Sequence, residues 1–264
     1  MSAVAPIPDS RPRIRPWLAL RGFLNVLRDA EDTESGARFV HALDGARPEQ
    51  NFQRFAADPV GAAILAEGRS LLATLCDRDA LRALPDASLG RRYLAFVEEE
   101  SISAEGLAEA VAPVYRELGE QDAARQLFTD RVGAMHDLWH VLTGYSRDIL
   151  GELQLLAFSH VQLRTRAFGW IVPIAAFFDE RWAPGTRRLV ALARERARRA
   201  PWLPALDWEA LLPRPLGVLR EELRIGPPPP YTRHFKRPGA FGLVPEAPDA
   251  PPHALCEPPP AQAA

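Results

Sequence analysis

Apolar residues recur at three- and four-residue steps along most of this chain, and no run alternates β-branched apolar residues with polar ones. That periodicity narrows the fold most, because the buried face of an α-helix repeats about every 3.6 residues and that of a strand every two. Trp17, Leu20, Leu24 and Leu27 form one helical stripe. A second helix is expected from near Thr33 to Asp44, where Gly45 can take the left-handed conformation that stops it. A third is expected over Val60 to Leu75. Pro85 then ends an element, and Ser88 stands where its hydroxyl can cap a helix carrying Tyr93, Leu94, Phe96 and Val97. Ala104 to Tyr115 and Gln121 to Leu142 continue the pattern. The expected fold class is all-α, a single multi-helix domain with a Pro-rich disordered C-terminal tail.

The boundaries follow composition. Residues 1–16 hold four prolines and charges but no apolar core of a secretory signal, and read as a disordered lead-in. The helical domain is expected over 17–235. Twelve prolines fall between Gly226 and Ala264, so 236–264 reads as a tail, although Tyr231 and Phe235 are still expected to dock. No apolar run reaches the roughly 20 residues that span a bilayer. The nearest, Ala167 to Phe178, is broken by Gly169 and Pro173.

A net charge of −2 and a pI near 6.3 give no basic face for nucleic acid. Lys236 is the only lysine among 32 basic residues, but the arginines are scattered and read as a composition preference before anion recognition. Cys76 and Cys256 have no partnering pattern, so neither a disulfide framework nor a thiolate zinc site is indicated, and a reducing cytoplasmic compartment fits.

The chemistry-bearing residues crowd at one place: His136, Asp137 and His140, followed by Glu152. Four residues apart on a helix, His136 and His140 can point two imidazoles at one ion, and Asp137, about 100° round, can ligate or orient a ligand. Gly144 and Tyr145-Ser146-Arg147-Asp148 break the helix. Asp148 can cap a second helix whose first turn holds Gly151 and Glu152, returning a carboxylate to the ion. On spacing, a metal site and a helix face of satisfied histidines remain equal readings. The His-Glu-x-x-His order of zinc peptidases is absent, and His41 is the only histidine upstream, short of what HD-type phosphohydrolases need. No phosphate loop, dinucleotide fingerprint or nucleophile elbow is found.

The run from His136 through Asp148 to Gly151-Glu152 resembles the HDxxH-x11-E signature of the Coq4 family of ubiquinone-biosynthesis proteins. Leu84-Pro85, Ser88-Leu89-Gly90-Arg91 and Tyr93 upstream are similar to the family as well. So are Leu156-Ala157-Phe158-Ser159, Trp208-Glu209, Leu219-Arg220, Ile225 and Pro227-Pro228 downstream. The likeness spans about Trp17 to Tyr231. It implies a helical protein peripheral to the inner membrane that binds a divalent ion through His136, Asp137, His140 and Glu152, zinc first and iron or manganese as alternatives. It further implies a lyase acting at C1 of a polyprenyl-4-hydroxybenzoate-derived intermediate, decarboxylating it with or without coupled hydroxylation. The alternative it carries is a non-catalytic lipid-binding scaffold for the other ubiquinone-biosynthesis proteins. A homodimer is what the family suggests. Zinc has no redox chemistry, so an oxidative reaction needs another electron acceptor or another metal.

For such a substrate the sequence offers further residues. Tyr145 and Arg147, in the turn of the motif, can meet a carboxylate or cap the broken helix. Phe168, Trp170, Ile171, Val172, Ile174, Phe177 and Phe178 can line a groove for a prenyl tail or simply pack. The basic run Arg187 to Arg199 can touch anionic headgroups or form a solvated face. His160 shares a helix face with Glu152 but reads as a hydrogen-bonded core or rim histidine.

Overall fold

The structure, a computed structural model, describes residues 33–102, 106, 122–236 and 242–246. The Trp17 stripe and the helix expected at 104–115 fall outside those residues, Gly106 apart. Helix α1 is Thr33–Asp44, closed by Gly45 at φ 55° as expected. Helix α2 is Arg47–Ala57. Asp58 accepts from the backbone N–H groups of Val60 and Gly61 and so caps α3, Pro59–Glu67. The helix expected over Val60 to Leu75 is in fact two. Gly68 turns left-handed at φ 65° after α3, and Ser70 caps a new helix, α4, Leu71–Cys76. A run of apolar residues cannot reveal that break, because both pieces bury the same kind of face.

Helix α5 is Arg78–Arg82. Ser88 accepts from the Arg91 N–H and starts α6, Leu89–Glu99, with Tyr93, Leu94, Phe96 and Val97 buried. Helix α7, Ala123–Thr143, is capped by Asp122 and ends at Gly144, left-handed at φ 75°. Helix α8, Ile149–Leu163, is capped by Asp148, whose carboxylate accepts from Leu150 and Gly151. Then come α9, Arg166–Asp179, with Pro173 inside it, and α10, Thr186–Arg199. A 3-10 turn at Leu203–Ala205, α11 at Trp208–Leu211 and α12 at Leu216–Glu222 complete the helices.

Two three-residue strands, β1 His234–Lys236 and β2 Leu243–Pro245, pair antiparallel with Phe235 opposite Val244. They amend the expectation of a structureless tail from 236. Residues 242–246 return to the body, and Leu243 is buried beside Leu150 and Ala183. Among the described residues the architecture is otherwise all-helical.

The main core gathers around the second half of α7. Met135, Leu138, Trp139 and Leu142 pack with Tyr93 and Phe96 of α6, Leu155 and Phe158 of α8, Val190 and Ala193 of α10, and Trp208 and Leu219 beyond. Nearly every residue of α7 from Ala134 to Thr143 is buried, so this segment is enclosed all round rather than amphipathic. Polar anchors hold it along its length. Arg125 bridges to Glu49 of α2 at the N-terminal end. Arg131, 1% exposed, makes a two-pronged bond to Glu209 at 2.7 and 2.9 Å.

At the C-terminal end, where the last carbonyls of a helix lack intrahelical donors, two arginines supply them. Arg220 donates to Leu142 O and Val141 O, each at 2.9 Å, and Arg196 donates to Thr143 O at 2.9 Å. Cationic groups at a helix C-terminus also complement its dipole. Arg196 therefore turns inward from the basic run rather than facing solvent or headgroups. The arginine excess is in part structural.

Candidate metal centre

The corner between α7 and α8 brings all four motif residues together. One ligand atom from each of His136, Asp137 and His140 lies within 4.8 Å of the others. From α8, Glu152 presents Oε2 3.7 Å from His136 Nε2 and Oε1 3.3 Å from His140 Nε2. The imidazole planes of the two histidines are 83° apart, with centroids 5.0 Å from each other.

His140 is completely buried, against the ring of Phe96. Its Nδ1 lies 2.8 Å from the Tyr145 carbonyl oxygen. With Nδ1 donating there, the neutral ring turns its Nε2 lone pair into the cluster, where it faces Glu152 Oε1 at 3.3 Å and the described residues offer it no hydrogen-bond donor. A buried nitrogen left without a partner costs about 1–3 kcal/mol, a cost that a cation at the cluster removes. Two imidazoles and two carboxylates are donors that zinc, iron or manganese all accept, so the residues present fit a divalent ion.

The electrostatics are coupled. Burial pushes the His136 pKa down despite the Glu152 carboxylate beside it. Burial acts downward on His140 too, but Glu152, Asp137 and the Tyr145 carbonyl outweigh it and the pKa is raised. Burial lifts the Glu152 carboxyl, yet His140, His136 and Arg147 prevail and hold it at about 2. Glu152 is thus an anion throughout the physiological range. His136 and Glu152 keep about a third of their side chains exposed, which makes one side of the cluster accessible.

Arg147 stands at that open side, 3.8 Å from Glu152 and 3.9 Å from Glu100. Tyr145 does not join it. Its side chain is fully buried under the Arg196 guanidinium, 5.0 Å from the ring centroid. Tyr145 serves the site through its backbone carbonyl. Phe168 is half-buried and packs on the main core and on Phe39 and Ala167, an ordinary packing role. Trp170 is 67% exposed. His160 donates from Nδ1 to the Thr165 carbonyl, 2.8 Å away, and lies two helical turns from Glu152, the hydrogen-bonded role expected for it.

The residues that sequence reasoning missed hold the corner. Arg196 and Tyr231 carry no motif of their own, and Arg220 stands in the family-like Leu219-Arg220 pair without an expected role. The docking expected of Tyr231 just after the Pro227–Pro230 run is found, on Ser146 and Asp148.

An all-helical body whose central helix and its successor gather two histidines and two carboxylates at one corner defines a class of helical, cation-suited proteins. The chain belongs to the Coq4 family: the family described as "Coenzyme Q (ubiquinone) biosynthesis protein Coq4" matches residues 46–229. The match begins downstream of Trp17, so it is shorter than the span expected from the motifs.

Among its relatives is the mitochondrial ubiquinone biosynthesis protein COQ4 homolog of Mus musculus, 32% identical over 184 residues, covering 66% of this chain and 64% of that one. The Homo sapiens homolog is 31% identical over 182 residues, covering 67% and 64%. The chain thus spans about 64% of the length of these relatives. In fold it is similar to the crystal structure of a candidate ubiquinone biosynthesis protein from Nostoc punctiforme. That likeness has a TM-score of 0.57 at 18% identity and covers 80% of this chain and 98% of that one. No described helix is long and apolar enough to cross a membrane.

Proposed function

We propose that this protein is a metal-dependent decarboxylase acting at C1 of a polyprenyl-4-hydroxybenzoate-derived ring in ubiquinone biosynthesis. The observation that carries the reading is the convergence of His136, Asp137, His140 and Glu152 around a buried imidazole nitrogen that faces a carboxylate and meets no donor among the described residues. These four residues hold the ion, with zinc the first choice. When bound, a divalent ion there supplies Lewis acidity toward a carboxylate or a water.

The rest of the work falls to the chain. The Tyr145 carbonyl fixes the ring of His140 and the nitrogen it offers. Arg147, 38% exposed in its side chain, places a planar guanidinium beside the cluster, a shape suited to a carboxylate. Loss of carbon dioxide leaves an electron pair at C1, which a proton must take up. The phenol para to C1 stabilises the dearomatised ring on the way. A hydroxyl in place of that proton requires an external two-electron acceptor such as dioxygen.

The lipid half of the substrate and the membrane surface are matched by α9. Trp170, Phe177 and Phe178 are 67%, 69% and 56% exposed, and Arg164, Arg166 and Arg181 at its ends are exposed as well. An exposed aromatic face flanked by arginines suits attachment to one side of an anionic bilayer. A second reading, the organiser of other biosynthetic proteins, is favoured by the way the same four groups bridge α7 and α8: the ion then ties two helices together.

The test is purified protein, its metal identified, incubated with the prenylated acid under oxygen and under nitrogen. Carbon dioxide release that Glu152→Ala abolishes without unfolding the protein supports the enzyme. Metal bound but no carbon dioxide under either gas sinks it in favour of the organiser.

A further inference from the structure

A segment outside the motif reaches both sides of the corner that carries the cluster. At its start, Arg196 donates to the carbonyls of Ile225 at 2.9 Å and of Gly226 and Pro227 at 3.1 Å, and the same guanidinium holds Thr143 O at the end of α7. Pro228 then lies over Gly144, where even a methyl group would stand 2.4 Å from the proline Cβ. Three residues on, the Tyr231 hydroxyl donates to Asp148 Oδ1 at 2.7 Å, lies 2.8 Å from Ser146 Oγ and accepts from Ser146 N at 3.2 Å. The His234 N–H reaches the other oxygen of Asp148 at 2.8 Å.

Asp148 is the cap of α8, and its backbone carbonyl accepts from the N–H of Glu152 at 2.9 Å. Gly151, between them, has no room for a side chain: a Cβ would come within 1.9 Å of Ser146 O and 2.7 Å of the Tyr231 hydroxyl. His140 sits four residues before Gly144 and Glu152 four residues after Asp148. The segment therefore bonds to the turn that joins the helices carrying these two ligands.

We propose that residues 227–234 are a strap that sets the His140 to Glu152 separation, with the Tyr231 hydroxyl as its positioning group, so that affinity for a divalent cation depends on a residue that does not touch it. The prolines suit this role, because fixed backbone torsions carry little freedom to lose when the strap is laid down. This inference rests on the metal-site reading above. Tyr231 acts only through Asp148 and Ser146.

The test uses the full chain and its Tyr231→Phe variant, with Co²⁺ as a spectroscopic probe and Zn²⁺ affinity measured by chelator competition. Loss of a group that supports ligands from behind typically weakens metal binding by about 10–100-fold. Tyr231→Phe is expected to fall in that range and to change the visible cobalt spectrum. Ser146→Ala, a milder change that keeps the Tyr231 to Asp148 bond, is expected to show a smaller loss and serves if the tyrosine variant does not fold. Arg131→Met, destabilising through loss of a pair with Glu209 that touches none of Ser146, Asp148 and Tyr231, is expected to keep the wild-type cobalt spectrum and affinity. Wild-type spectrum and affinity in the Tyr231 and Ser146 variants would overturn the strap alone. Metal loss in Arg131→Met equal to theirs would overturn it too, as a general effect of stability. A wild-type protein that binds neither cobalt nor zinc would overturn both the strap and the site.

Discussion

The Nδ1 of His140 lies 2.8 Å from the carbonyl oxygen of Tyr145, five residues on and across the left-handed Gly144. A carbonyl only accepts, so the ring must carry its proton on Nδ1 when neutral. The helix break thus chooses the tautomer. In ¹⁵N-correlated NMR at a pH where the ring is neutral, His140 should appear as the Nδ1–H form. A predominant Nε2–H signal would contradict this and leave no lone pair facing Glu152.

Asp44 is 5% exposed and accepts from the Ala167 N–H at 3.2 Å. Burial outweighs its backbone hydrogen bonds and raises its pKa from 3.8 to about 6. A folded state that binds the proton more tightly is favoured below pH 3.8, and the advantage is lost as pH rises through about 6. Asp44→Asn, neutral at every pH, should therefore gain stability relative to wild type above pH 6, by up to about 3 kcal/mol at 1.4 kcal/mol per unit. Urea denaturation at pH 4 and pH 8 reads the difference, which should shrink at the lower pH.

Arg131 and Glu209 form a buried two-pronged pair between α7 and α11, and Arg131 also holds Leu206 O at 2.8 Å. Arg131→Met strands the carboxylate and should cost about 3–5 kcal/mol. A urea midpoint within error of wild type would show that the pair does not anchor α7.

On α9, Phe177 and Phe178 stand with rings 5.5 Å apart, 69% and 56% exposed. If this face enters a bilayer, each phenyl contributes about 1.5–3 kcal/mol. Replacing either with serine should weaken binding to anionic vesicles about tenfold or more, measured by co-sedimentation. Vesicle binding unchanged in both variants would remove α9 from the membrane contact.

Capping chemistry was legible in the chain because it is local. Ser88 and Asp148 begin the helices they were expected to begin, since a side-chain oxygen two or three residues before free N–H groups has few other uses. Gly45 and Gly144 end theirs for the same local reason. The break at Gly68 was missed because the apolar pattern resumes in phase on its far side. The burial of the Tyr145 ring is not legible locally because it depends on Arg196, 51 residues away in sequence, which stacks over the ring.

The sequence by itself determined the helical class and the identity of the four grouped residues. Helix periodicity and the four-residue spacing of His136 and His140 are properties of a single turn, fixed wherever the chain lies. Only the tertiary structure decided how far apart the two halves of the group stand. His140 and Glu152 meet at 3.3 Å because Arg196, Arg220 and Tyr231 close the ends of α7 and α8 from distant parts of the chain. Such contacts are set by packing and by the need to satisfy buried backbone groups, and no local pattern records them.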